Sequence, residues 1–131
     1  MSLKAFIVED NRAIRDSLVE ALAELAGVQT LGQASTAAEA IAWLRDPTHD
    51  WDLAIVDLLL QGEGTGLDVL RALRGRDPGR KVVVLTATAS HVVEEQCAAL
   101  GCDNVFDKSI DTDALLDWCM ALAGRPPAAA A

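Results

Sequence analysis

Three short runs of uninterrupted apolar residues, Ala5-Phe6-Ile7-Val8, Leu53-Ala54-Ile55-Val56 and Val82-Val83-Val84-Leu85, constrain this chain more than any other feature. A strand with one wet face alternates apolar and polar side chains, so a run without alternation belongs to a strand covered on both faces, as in the middle of a parallel sheet. Val28 to Ala34 and Asn104 to Asp107 are more polar and interrupted, as edge strands would be. Helical patterns separate the five. The first runs from about Ala13 to Ala26, with Ile14, Leu18, Leu22 and Leu25 on one face, and stops at Gly27, a left-handed cap. The second opens on Thr36-Ala37-Ala38-Glu39, a capping-box pattern, and ends before Asp46-Pro47. The third presents Leu67, Leu70 and Leu73; the fourth runs from near Ser90 to Gly101; the fifth starts near Asp111 and presents Leu115, Cys119 and Leu122. Strict β-α alternation predicts an α/β fold, a five-stranded parallel sheet with helices on both faces, and apolar strands in the centre give the order 2-1-3-4-5.

Composition removes several classes of function. With 131 residues the chain has room for one domain, expected over 1–124, with 125–131 a disordered tail or the start of a linker. Twenty acidic against eleven basic side chains leave a net charge of −9, which repels a phosphate backbone; no direct nucleic-acid partner is expected. No run reaches the roughly 20 apolar residues that span a bilayer, so no membrane partner and a cytoplasmic location are expected. Cys97, Cys102 and Cys119 have neither an even count nor CxxC spacing and read as reduced, mostly buried thiols. Trp43, Trp51 and Trp118 read as packing residues or surface anchors rather than ligand stackers, His49 and His91 as bystanders, and the glycines around Thr65 match no P-loop.

In a sheet of this order, ligands bind at the carboxyl ends of the strands, where the order reverses. Strand one ends in Glu9-Asp10, strand three in Asp57, strand four in Thr86, and Lys108 follows strand five. Three carboxylates on one rim repel each other and call for a cation, and Mg2+, held by carboxylates and substrate phosphate, suits them. Carboxylate, metal, hydroxyl and ammonium together suit phosphoryl transfer, with Asp57 as nucleophile and the cations neutralising charge on the transferring oxygens.

The stretches Phe6-Ile7-Val8-Glu9-Asp10-Asn11, Leu53-Ala54-Ile55-Val56-Asp57-Leu58, Val84-Leu85-Thr86-Ala87 and Phe106-Asp107-Lys108-Ser109 resemble those of bacterial response-regulator receiver domains, over about residues 4–123. The resemblance implies a flavodoxin-like, doubly wound (βα)5 single domain. It implies a signalling receiver rather than an enzyme: Asp57 would be phosphorylated by a histidine kinase, a phosphotransfer protein or a small phosphodonor. Asp10 would hold Mg2+ directly, Glu9 mostly through water, and the backbone carbonyl of Leu59 would complete the protein's ligands alongside Asp57. Lys108 would pair with the phosphoryl group, and the Thr86 hydroxyl would move toward it and pass the change to a downstream protein target or a fused output domain. A homodimer through the face of the fourth helix, fifth strand and fifth helix is a further implied partner.

Three positions depart from the pattern. Ser109 stands where the family has a cis-bonded proline, Val105 where an aromatic couples to the Thr, and the loop Leu60 to Gly66 lacks a proline and is one residue longer. Two other readings stand beside the receiver: a pseudo-receiver that keeps the acidic pocket as a constitutive interaction module, and an Asp-nucleophile phosphatase, which would want a second Asp where Leu59 stands.

Overall fold

The computed structural model describes residues 3–124. Its strands are β1 (Leu3–Val8), β2 (Val28–Ala34), β3 (Leu53–Val56), β4 (Lys81–Thr86) and β5 (Asn104–Asp107), all parallel, in the order β2-β1-β3-β4-β5. The helices between and after them are α1 (Arg12–Ala26), α2 (Ala37–Leu44), α3 (Gly66–Ala72), α4 (His91–Ala99) and α5 (Thr112–Gly124). The expected order of the sheet is thus the observed one. The segment 125–131, expected as tail or linker, lies outside the described residues.

Because successive strand residues point to opposite faces, the apolar runs feed two cores at once. Phe6, Val8, Ala54, Val56, Val82 and Val84 pack with Ala40 and Leu44 of α2, Val69 and Leu70 of α3 and Cys97 of α4. Ala5, Ile7, Leu53, Ile55, Val83 and Leu85 pack with Leu18 and Leu22 of α1 and Leu115 and Cys119 of α5. Each fully buried Leu, Ile or Val contributes roughly 1.5–3 kcal/mol over leaving it in water, and the buried stretches 5–8, 53–56 and 82–85 accordingly carry no polar residue, the lysines of β1 and β4 standing ahead of them at the half-exposed starts. The edge strand β2 alternates instead, with Gln29, Leu31 and Gln33 outward.

Two local expectations are corrected. Ile14 and Leu25 share the apolar face of α1 yet are exposed, at 38% and 62%. Leu18 and Leu22, in the middle of that face, are the α1 residues buried against the sheet and α5, while Ile14 and Leu25 stand nearer the two ends of the helix. At α2, Thr36 Oγ1 accepts from the Glu39 N–H, but Glu39 Oε1 accepts from the Ser35 N–H rather than from the Thr36 backbone, so the box is not closed. The closed box is at α3, where the Thr65 N–H donates to Asp68 and Thr65 caps the helix in return.

Cys97 and Cys119 are buried and Cys102 half-buried, all as free thiols. Burial pushes Cys102 and Cys119 up to about 12, which leaves them unreactive near neutral pH.

Candidate functional site

The parallel ladder carries the chemistry-bearing residues to one rim. The Glu9 N–H donates to Ala34 O and the Asp57 N–H to Val8 O, continuing the β1-β2 and β1-β3 ladders past their last residues, while the Lys108 N–H donates to Thr86 O and does the same beyond β5. Glu9, Asp57 and Thr86 are the buried polar residues among those described. Glu9, Asp10 and Asp57 each bring a carboxylate oxygen within 4.8 Å of the others. Into this cluster Lys108 sends its Nζ, 2.6 Å from Glu9 Oε1 and 2.8 Å from Asp57 Oδ2.

The electrostatics follow from that geometry. Burial raises the pKa of Glu9, and the neighbouring Asp57 charge adds to it, against the hydrogen bonds from Lys108 and the Asn11 N–H. For Lys108, burial works to lower the pKa, but the bonds to Asp57 and Glu9 outweigh it and hold the ammonium above its ordinary range. Three carboxylates and one ammonium leave a formal surplus of two negative charges in a small, mostly buried space. An all-oxygen donor set with that surplus matches a hard divalent cation such as Mg2+ and suits neither a soft metal nor a neutral ligand.

Lys108 reaches its partners without the proline turn. No cis peptide bond occurs among the described residues, and the Lys108-Ser109 bond is trans. The turn is closed by side chains instead: the Ser109 N–H and Oγ donate to Asp107 Oδ1 at 2.8 and 2.6 Å, and Asp111 Oδ2 accepts from the Asp107 N–H at 2.9 Å. The Ser109 hydroxyl and N–H hold the Asp107 carboxyl below its usual range.

Thr86 is fully buried, and its Oγ1 lies 3.1 Å from Thr88 Oγ1 and accepts from the Thr88 N–H at 3.3 Å. Val105 packs toward the core shared with α4, while Phe106 lies in the opposite core, edge-on to Trp118 with ring centroids 6.3 Å apart. Strand alternation therefore leaves no β5 aromatic on the Thr86-α4 side. Leu59 turns its side chain to solvent, 59% exposed, and its N–H faces Asp57 Oδ1 at 3.4 Å.

One residue of the site goes unnoticed in the sequence. Gly66 opens α3 directly behind Asp57: a Cβ there would lie 2.2 Å from the Asp57 carbonyl oxygen and 2.7 Å from Leu58 Cα. Its N–H donates to Leu58 O at 3.0 Å. The spacing of glycines in a Gly-rich loop does not say which of them touches the strand end; only the folded loop does.

A family model described as response regulator receiver domain matches residues 5–119. The acid tolerance regulatory protein ActR of Sinorhizobium medicae (strain WSM419) is 32% identical over 120 residues, 92% of this chain and 58% of that protein. The DNA-binding transcriptional activator DevR/DosR of Mycobacterium tuberculosis is 33% identical over 88 residues, 67% of this chain and 39% of that protein. The chain therefore spans well under two thirds of the length of either relative. The structure of the phosphorylated cyanobacterial phytochrome response regulator RcpA superposes with a TM-score of 0.74 at 26% identity, covering 93% of this chain and 91% of that one.

Proposed function

Because the chain belongs to the response regulator receiver domain family of two-component signalling, we propose that it is an active receiver whose Asp57 takes a phosphoryl group from a histidine kinase, a phosphotransfer protein or a small phosphodonor. The observation that carries this is the contact of Lys108 Nζ with Asp57 and Glu9 across the acid cluster, formed in spite of the missing proline. In the transfer a carboxylate oxygen of Asp57 forms a bond to phosphorus as the donor's P–N or P–O bond breaks, and the leaving group departs with the bonding pair. Lys108 would hold one of the phosphoryl oxygens. Asp10, Asp57 and the Leu59 carbonyl would hold Mg2+, with Glu9 mostly through water; the cation supplies neutralisation of the charge gathering on those oxygens. To report the event, the Thr86 hydroxyl would leave Thr88 for the phosphoryl group, altering the α4-β5-α5 face, which is also the face a homodimer would use. With Phe106 in the other core, that signal does not pass through a rotating aromatic on β5.

Incubation with acetyl phosphate and Mg2+ followed by intact mass measurement tests the proposal. A single phosphoryl adduct supports it; no adduct favours the pseudo-receiver; turnover of unrelated phosphate esters favours the phosphatase. Mg2+ alone is expected to stabilise the fold. At ten times its dissociation constant the gain is about 1.4 kcal/mol, or about 5 °C in melting temperature for a domain of this size, and Asp10→Ala should abolish the shift. A melting temperature indifferent to Mg2+ speaks for the pseudo-receiver.

The phosphorylated state is expected to last. Leu59 offers no polar atom on its side chain to orient an attacking water, and Thr88 brings only a short hydroxyl that cannot act as a base near neutral pH. Leu59→Asn should therefore lose its phosphoryl group about fivefold faster, the effect of one positioning contact of about 1 kcal/mol. Intact mass followed after removal of the donor measures it, and equal decay would show that position 59 does not control water.

No helix among the described residues is long and apolar enough to cross a membrane. The expectation of no nucleic-acid partner is not retained for the protein as a whole: the acidic charge belongs to this domain, while the relative DevR/DosR, named as DNA-binding, extends well beyond the matched region.

A further inference from the structure

Arg15 lies on α1, five residues beyond Asp10, and points back toward the rim. Its Nη1 donates to the backbone carbonyl of Glu9 at 3.1 Å and to Ser35 Oγ at 3.0 Å. Its Nε is buried without a hydrogen-bond acceptor, and the ion pairs among the described residues do not include it. A guanidinium surrenders hydration at a cost, and here it does so for a carbonyl and a hydroxyl, partners that orient it without neutralising it.

The carbonyl it holds belongs to the peptide that joins Glu9 to Asp10, the two acids at the end of β1. Ser35, its other partner, follows the last residue of β2, and the Ser35 carbonyl accepts from the Gln61 N–H at 3.3 Å, beside a parallel bridge between Thr36 and Gln61. Gln61 lies in the loop that leaves Asp57. One chain of hydrogen bonds, Glu9 to Arg15 to Ser35 to Gln61, thus ties together the two separate segments that carry the oxygen donors. Mg2+ demands near-octahedral placement at about 2.0–2.1 Å, so the relative position of those segments governs affinity.

We propose that Arg15 and Ser35 are positioning residues for the cation site, a brace that sets the Glu9-Asp10 peptide against the loop after Asp57 and so presets the carboxylates for Mg2+. The inference rests on the reading of the acid cluster as a Mg2+ site. It assigns the two residues no contact with the ion or the phosphoryl group.

Calorimetric titration of the unphosphorylated protein with MgCl2, without any phosphodonor, tests it on Arg15→Met, Arg15→Lys, Ser35→Ala and the double variant Arg15→Met/Ser35→Ala. Loss of such outer contacts typically costs at least tenfold in metal affinity, so Arg15→Met should raise the Kd about tenfold, and Ser35→Ala by less. Arg15→Lys should recover part of the loss, because an ammonium can still donate to the Glu9 carbonyl. The double variant should be no worse than Arg15→Met alone, since both residues serve one brace. In phosphorylation by acetyl phosphate, raising Mg2+ should restore the Arg15→Met rate to within about twofold of native, a split that a damaged fold would not show. Native affinity in both Arg15→Met and Ser35→Ala, with melting temperatures alone lowered, overturns the brace and leaves the receiver reading standing. A native protein that binds no Mg2+ overturns both. If Arg15→Met fails to fold, Ser35→Ala and Arg15→Lys carry the same decision, and unchanged Kd values in those two overturn the proposal.

Discussion

Asp57→Asn is expected to fold, to melt at or above the native temperature, and to gain no phosphoryl mass from acetyl phosphate and Mg2+. The amide cannot act as the nucleophile, so the loss of adduct should be complete rather than partial. Two terms set the stability. The substitution removes one of three carboxylates gathered within 4.8 Å, which relieves repulsion, and it weakens the 2.8 Å contact to Lys108 from a charged to a neutral acceptor. Lys108 keeps Glu9 at 2.6 Å, so the ammonium is not stranded, and the relief of repulsion prevails. With Asp57 no longer facing it, Glu9 should also ionise more readily, because the Asp57 charge is among the causes that raise it. Intact mass and a thermal melt on the same sample decide the matter. An adduct of native stoichiometry on the variant would show that Asp57 is not the acceptor.

Gly66→Ala is expected to damage the fold and the site together. The conformation of Gly66 is not left-handed, so any residue could adopt it; the obstacle is the Asp57 carbonyl oxygen 2.2 Å from the added carbon, backed by Leu58 Cα at 2.7 Å. Both are backbone atoms of the segment leaving β3 and cannot swing aside as a side chain tip would. Overpacking of this kind costs about 1–3 kcal/mol and sometimes more, while alanine's better helix propensity returns at most about 1 kcal/mol. A net loss of about 2 kcal/mol lowers the melting temperature by roughly 8 °C. The displacement falls on the backbone of the acceptor itself, so phosphorylation of the folded protein should slow as well. An unchanged melting temperature would mean that α3 can back away from β3 at little cost; a lowered one with native phosphorylation kinetics would mean that the shift spares Asp57.

Much of this protein can be read before it folds. The uninterrupted runs around Ile7, Ile55 and Val83 require cover on both faces, and the alternation with helical segments then leaves a parallel sheet with its polar strands at the edges. Glu9, Asp10, Asp57, Thr86 and Lys108 are legible for the same reason: each is the first polar break after an apolar strand or the turn beyond it, and parallel strands end on the same side. Residues whose function lies in a contact between distant segments are not legible in this way. Ser109 shows it from one side, since losing the proline pattern says nothing of how Asp107 and Asp111 rebuild the turn with side chains and still deliver Lys108.

Amphipathic periodicity also overstates what is buried. Ile14 and Leu25 obey the pattern of α1, but a pattern records direction and not whether a sheet lies beneath it. Glycine identity likewise reports freedom without reporting contact, so Gly66 could be singled out only once its approach to Asp57 was in view. The layering, the strand order and the set of acids, hydroxyl and ammonium at the rim are legible in the chain, because they follow from burial and chain direction, which are local and periodic. The distances within that set, the trans path of Lys108 and the brace from Arg15 to Ser35 come only with the folded chain, because each depends on how far apart in space two segments come to rest, whereas the side of the sheet that Phe106 takes follows from strand alternation.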